Sequence, residues 1–393
     1  MRVVLEKRGL RLRKSSGTPE RVLLCVLLVA LTASFVYGWN LDPSTAGADS
    51  WADQGLYTRT ATDLANWRLP EAGAFHYQVT YPLLGALGSF LFPNDPFLPI
   101  SFVLFLGSAG FLYLGARPRI GWIWSAVFVI AVFAWDLVGR TFNYASELFV
   151  IPWNNQIAFF ALAFFFWLLG NRIELPAVVP DWIFGVAGLI TGITVGAREE
   201  MALFVLPLFG YVLVKTRASP ARWAMGIGGA VAGYLPHLVI KVLVLGTAAE
   251  SGRQAGYLDL LTGYMSWDRL SINVLDVLVD SSARGLDADR VALLQAAPWL
   301  WLSPIGLALY LTVSNRDKPM QLFILVSVAL CLFYLAGPNM SLQKLRFHCL
   351  RYIAPAFIAL NFGTIYSLYF ASGRLRALLN NKSGPSSEVS SSS

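Results

Sequence analysis

Apolar residues recur along this chain in runs of roughly membrane-crossing length, and that recurrence restricts the fold more than any other feature. The first run, Val22 to Gly38, directly follows a basic stretch holding Arg2, Lys7, Arg8, Arg11, Arg13, Lys14 and Arg21. Others lie at about 98–115, 120–137, 155–170, 182–197, 201–214, 223–246, 296–313, 320–336 and 352–370. A bilayer crossing needs about 20 apolar residues as helix, so the shorter runs must extend into their polar flanks. In hydrocarbon every backbone N–H and C=O needs an internal partner, which a helix supplies within one segment. With 56% hydrophobic and only 13% charged residues, the expectation is an all-α, polytopic transmembrane bundle of about ten spans.

The loops give an independent check on that count. A basic start before an apolar run also fits a secretory signal peptide, but no small-x-small cleavage site follows before Trp39, so a retained first helix with its N-terminus inside is expected. Ten crossings then place the N-terminus and 116–119, 171–181, 215–222, 314–319 and the residues after 371 inside. These segments hold 18 Lys/Arg and 6 Asp/Glu, and the remainder 12 and 17, giving +12 inside and −5 outside. The positive-inside rule is satisfied. The apolar stretch 81–92 is too short to cross; counting it would put Arg117 and Arg119 outside and invert every later loop. It reads as a surface or re-entrant helix on the outer side.

The predicted layout is a basic cytoplasmic N-terminus (1–21), a transmembrane domain (22–370) with outer loops at 39–97 and 247–295, and a disordered cytoplasmic tail (371–393) ending in serines. Outer-side amphipathic helices are expected in both long loops. The net charge of +7 is sorted by the membrane and implies no nucleic-acid partner. Cys25, Cys331 and Cys349 are odd in number, lack metal-type spacing and read as packing residues. No internal repeat, Walker loop or dinucleotide fingerprint occurs.

Ionisable groups kept at membrane depth are costly and therefore candidates for function. The first outer loop is acidic and aromatic, with Asp49, Asp53, Tyr57, Asp63, Trp67, His76, Tyr81 and Pro82. Asp136 and Arg140 close the third span, and Glu147 follows in the short second outer loop; Arg198, Glu199 and Glu200 occupy the abrupt turn between the fifth and sixth; Lys241 sits near the outer end of the seventh. Lys344, Arg346, His348 and Arg351 precede the last span, a basic group outside against the general bias, suited to holding an anion. Each has a structural alternative: Asp136 with Arg140, or Arg198 with Glu199 or Glu200, as ion pairs; Lys344 and Arg346 on lipid headgroups; Asp49 and Asp53 as caps or solubilisers. His76, His237 and His348 fit structural hydrogen bonding as well as chemistry.

In order, these features resemble the GT-C superfamily of membrane glycosyltransferases, particularly the protein O-mannosyltransferase and aminoarabinose transferase type. Four places carry the resemblance: Asp53, Tyr57, Ala61, Leu64 and Trp67 in the first outer loop; Tyr81-Pro82-Leu83-Leu84, with the family's second proline missing; Gly192, Gly196, Arg198, Glu200 and Pro207 around an Arg-x-Glu turn; and Arg351-Tyr352 with Pro355. The resemblance implies a polyprenyl-phosphate sugar as donor, a lipid, glycan or protein acceptor, and an acid of the first loop at the catalytic centre, which falls on Asp53 with Asp49 as the neighbouring alternative. It implies donor-phosphate contacts for Arg351, Lys344, Arg346 and Arg198, and substrate contacts for Tyr57, Tyr81, Glu147, Glu200 and Tyr352. Relatives carry a second Asp where this chain has Asn154-Asn155-Gln156, which leaves a carboxylate-held divalent metal without support and no cofactor implied. Glycosyl transfer needs a base for the attacking hydroxyl and cations for the departing phosphate, and Asp53 and the Arg/Lys group supply those types. Short loops and compact size lean towards a bacterial inner membrane with the site facing outward. A polyprenyl-linked glycan flippase, an O-antigen polymerase or ligase, and a non-catalytic scaffold are the competing classes.

Overall fold

The computed structural model describes residues 17–41, 52–70, 78–142, 148–149, 154–171, 180–245, 266–279, 292–314, 317–337 and 350–382; within these, the side chains of 41, 52–54, 134–142, 171, 245, 296, 350, 351 and 376–382 lie outside the description. Among the described residues the chain is helical throughout, with no strand. The principal helices are α1 (Thr18–Leu41), α2 (Ala52–Ala65), α3 (Thr80–Ser89), α4 (Leu98–Phe142), α5 (Asn155–Asn171), α6 (Trp182–Ala197), α7 (Ala202–Lys215), α8 (Pro220–Leu245), α9 (Trp267–Asn273), α10 (Ser303–Val313), α11 (Lys318–Ala336) and α12 (Phe357–Lys382). Five stretches, Thr18–Asn40, Leu98–Phe133, Pro220–Val244, Lys318–Ala336 and Ala354–Leu375, are long and apolar enough to cross a membrane. They fit a multi-pass membrane protein. Shorter apolar helices at Asn155–Gly170, Trp182–Ala197 and Pro298–Val313 pack among them.

Two expectations about boundaries are corrected. The inner loop expected at 116–119 is helix: α4 runs through Pro118, and the chain turns only at Gly121, whose φ of 78° and ψ of 172° leave helical space. A residue without Cβ takes that conformation at little cost, so the break sits beyond the two arginines rather than at them. The tail expected to be unstructured from 371 starts as helix, because α12 continues to Lys382. Its residues there, Ala-Ser-Gly-Arg-Leu-Arg-Ala-Leu-Leu, are mostly good helix formers.

Close approach at glycines sets the packing. A Cβ on Gly188 would stand 1.9 Å from the Gly226 carbonyl oxygen, and one on Gly192 only 2.1 Å from that of Ala230. The backbones of α6 and α8 therefore touch, as small-residue seams allow between membrane helices. An aromatic core joins the other elements: the Phe166 ring lies 5.3 Å from Phe323 and 5.6 Å from Phe362, tying α5 to α11 and α12. The short helix α3 is tucked against α2, α4, α6 and α8 through buried Thr80, Tyr81, Gly85 and Ala86, while its tip, Leu87, Phe90 and Leu91, is exposed.

Candidate functional site

The site is built where α6 ends. Arg198 leaves the helix in extended conformation (φ −152°, ψ 98°), and Glu199–Met201 form one tight turn before α7. The Arg198 guanidinium binds Glu200 through Nε (3.0 Å) and Nη2 (2.5 Å) and donates from Nη2 to the Tyr334 hydroxyl at 3.0 Å. Its Cζ lies 5.5 Å from the centroid of the Tyr334 ring and 5.1 Å from that of Tyr352. The Tyr334 hydroxyl donates in turn to Glu200 at 3.2 Å. Burial works against the Arg198 charge, but the Glu200 carboxylate overrides it and lifts the guanidinium above its ordinary range. Burial likewise opposes ionisation of Glu200, and the adjacent Arg198 charge outweighs it and holds that carboxyl below the usual value. Nε and Nη2 are engaged; Nη1 makes no bond among the described residues.

Glu199, on the same turn, serves a second arm. His237 Nε2 is 3.3 Å and Lys241 Nζ 3.4 Å from its Oε1, and the histidine hydrogen bond, ahead of Lys241, keeps the Glu199 carboxyl below its ordinary value despite burial. The Val79 backbone N–H donates to His237 Nδ1 at 3.2 Å, so Nδ1 is the unprotonated nitrogen and Nε2–H faces Glu199. Val79 caps α3. Next to it, Thr80 Oγ1 is buried with no partner among the described residues, and a Cβ on Gly196 would stand 2.4 Å from that oxygen. Through Val79 and Thr80, α3 is thus pinned to the Arg-x-Glu turn. Tyr81 stacks on Phe97 at 4.8 Å and receives the Tyr57 ring edge-on at 5.4 Å, which binds α2 to the same assembly.

Of the residues singled out in the sequence, the structure brings together Arg198, Glu200 and Tyr352, and joins Tyr57 and Tyr81 in buried aromatic packing. Asp53 is the second residue of α2, but its side chain lies outside the described residues. Asp49, Glu147, Lys344 and Arg346 lie wholly outside them, as does the side chain of Arg351, whose backbone belongs to the short helix Leu350–Ile353. Among the described residues no group of three His, Cys, Asp or Glu side chains is arranged to hold a metal ion.

Three participants escape sequence reasoning. Tyr334 sits in an apolar span, where a tyrosine reads as packing. Asp95, in the Pro-Asn-Asp-Pro turn, reads as a solubiliser, yet it accepts from the Trp39 indole at 2.5 Å and burial pushes its pKa up to about 6. Asn155 opens α5 with its amide nitrogen and oxygen both buried and unpartnered among the described residues. Its neighbours are engaged: Asn154 donates to the Ala197 carbonyl at 3.0 Å and Gln156 accepts from Ser101 at 2.9 Å. The only sequence signal for Asn155 is its place where relatives of the resembled family carry an acid. No family model, no curated protein and no solved structure matches the chain.

Proposed function

We propose that the chain is a multi-pass membrane glycosyltransferase of GT-C type, moving a sugar from a polyprenyl-phosphate donor to a lipid, glycan or protein acceptor on the extracytoplasmic face. In this reading the helices make ten crossings with both ends in the cytoplasm, the bacterial inner membrane being the membrane concerned. The observation that carries it is Arg198: a buried guanidinium gripped between two tyrosines, with Nη1 unengaged among the described residues, on a turn that α3 couples to the helix bearing Asp53. A cation fixed in advance of reaction stabilises the phosphate charge that develops as the sugar departs. The acceptor hydroxyl oxygen attacks the anomeric carbon, the carbon–oxygen bond to phosphate breaks, and the hydroxyl proton passes to the Asp53 carboxylate. Lys344, Arg346 and Arg351 add positive charge to the phosphate in the same proposal, with Glu147 and Asp49 nearby in sequence to the outer face.

The test is transfer from a labelled polyprenyl-phosphate sugar by purified protein in detergent. Asp53→Asn keeps size and capping ability but removes the base, so turnover should fall by about 10²–10⁴-fold with donor binding kept. Full activity in folded Asp53→Asn and Asp49→Asn proteins would end the assignment of the base. Release of no polyprenyl phosphate by the wild type would favour a flippase instead.

A further inference from the structure

At the far end of α12 lies a groove of about 520 Å³ that the site above does not use. One wall is Trp122, Ile123 and Trp124, just past the break in α4; the other is Tyr369, Phe370 and Arg374 of α12. Gly121 and Gly373 open its floor, and a Cβ at either would have nothing within 4 Å. The lining is chiefly apolar and includes no carboxylate. Arg374 packs over the Phe370 ring with Cζ 5.3 Å from its centroid and makes no ion pair among the described residues. Ser372 turns its hydroxyl back to the Tyr369 carbonyl at 2.8 Å, so the guanidinium is the groove's one charged recognition element.

Position decides what fits. The apolar window of the last span, Ala354–Leu375, ends at this groove, so Arg374 stands at the depth where hydrocarbon gives way to headgroups. Paired tryptophans and an arginine whose stem lies on an aromatic face are the side chains that favour that layer. A soluble anion would gain nothing from the apolar walls, and a zwitterionic lipid would gain less from the cation, because its own ammonium stands beside its phosphate. We propose that this groove binds an anionic phospholipid, its acyl chain between the Trp122–Trp124 and Tyr369–Phe370 walls and its phosphate on Arg374. The proposal rests on the chain residing in a membrane and not on the transfer reaction, so loss of either leaves the other standing.

Native mass spectrometry of the full chain in neutral detergent, titrated separately with phosphatidylglycerol, phosphatidylcholine and glycerol phosphate, tests it. The wild type should retain phosphatidylglycerol in preference to phosphatidylcholine. Arg374→Gln should lower that preference about fivefold, one headgroup contact's worth, while still taking up lipid. Gly373→Phe, which fills the floor from a helical position with open space, should remove the tightly held lipid of either kind. Unchanged melting temperatures would show both variants folded. Equal lipid retention by all three proteins would overturn the site, and displacement of phosphatidylglycerol by equimolar glycerol phosphate would overturn the lipid as its occupant.

Discussion

Arg119 and Arg198 stand at opposite ends of α5 and have the same partners by type, a carboxylate and a tyrosine, yet they are wired differently. Arg119 uses all three nitrogens: Nε on Tyr310 (2.9 Å) and Asp317 (2.7 Å), Nη2 on Asp317 (2.6 Å), Nη1 on the Gly170 carbonyl (2.8 Å). It joins elements nearly two hundred residues apart and satisfies a carbonyl at the C-terminal end of α5. Its neighbours on that face do likewise, Arg117 reaching Glu20 at 2.6 Å and Arg222 reaching Asp181 at 2.7 Å. Arg198 instead pairs with a carboxylate two residues away and keeps one nitrogen unengaged among the described residues. A saturated guanidinium is a staple, whereas one held by a local carboxylate and two ring faces is oriented without being used up.

That contrast is broken or kept by paired substitutions. Arg119→Gln takes the cation from Asp317, which then keeps only the Tyr310 hydroxyl and the Met320 N–H as donors, and frees the Gly170 carbonyl; it should cost about 3–5 kcal/mol. Arg198→Gln also leaves a half-buried carboxylate without its cation, but it frees no carbonyl on another helix, and should cost somewhat less, about 2–4 kcal/mol, while abolishing donor binding in the proposed reaction. Thermal unfolding in detergent alongside a donor-binding assay reads both. Equal destabilisation, with donor binding intact in Arg198→Gln, would make the two arginines equivalent staples.

The sequence made the spans and the Arg-x-Glu turn legible for different reasons. Apolar runs must be helix in hydrocarbon, so elements such as α1 and α11 follow from composition alone. Arg198 and Glu200 stood out because charge is rare in so apolar a chain, and Tyr352 through the resemblance alone. Tyr334 did not, because its role depends on α11 passing the turn, a long-range fact that no local pattern encodes. The break at Gly121 was displaced from its expected place for a related reason: Pro118 and two arginines read as a loop, but both arginines have carboxylates waiting on other helices. Asp53 was chosen by resemblance and by its place in the acidic stretch 49–82; what surrounds its carboxylate lies outside the described residues.

Asn155 sharpens the comparison at the Arg198 end of α5, since nothing at the Arg119 end matches a buried amide with neither atom partnered among the described residues. Such a group destabilises the fold unless something else bonds it. Asn155→Leu is close in volume and removes the burden, so the variant should be more stable by about 1–3 kcal/mol. If the amide meets the donor or acceptor in the proposed reaction, turnover should fall at the same time. Stability rising with turnover unchanged would leave Asn155 outside the site; stability falling would show that the amide has a partner in the resting protein.

Asp95 is the smallest and most direct test of how a carboxylate fares without a cation. Unlike Asp317 or Glu20, it has no cation among the described residues, only the Trp39 indole and the Leu98 N–H opposing its burial, and its pKa stands at about 6 against an ordinary 3.8. A carboxyl with a raised folded pKa holds its proton in the folded chain where the unfolded chain has lost it. Its contribution is therefore neutral below the ordinary value, turns unfavourable as pH rises towards 6, and stays so above. Glu199 and Glu200, both held low, act oppositely and only in more acidic solution, where protonation removes their stabilisation. Asp95→Asn can still accept from Trp39, so it should equal or exceed the wild type in melting temperature at pH 7 and lose the decline between about pH 4.5 and 6. If the two proteins keep parallel melting curves across that range, Asp95 does not titrate there, and its carboxylate is as fully compensated as those of Asp317 and Glu20.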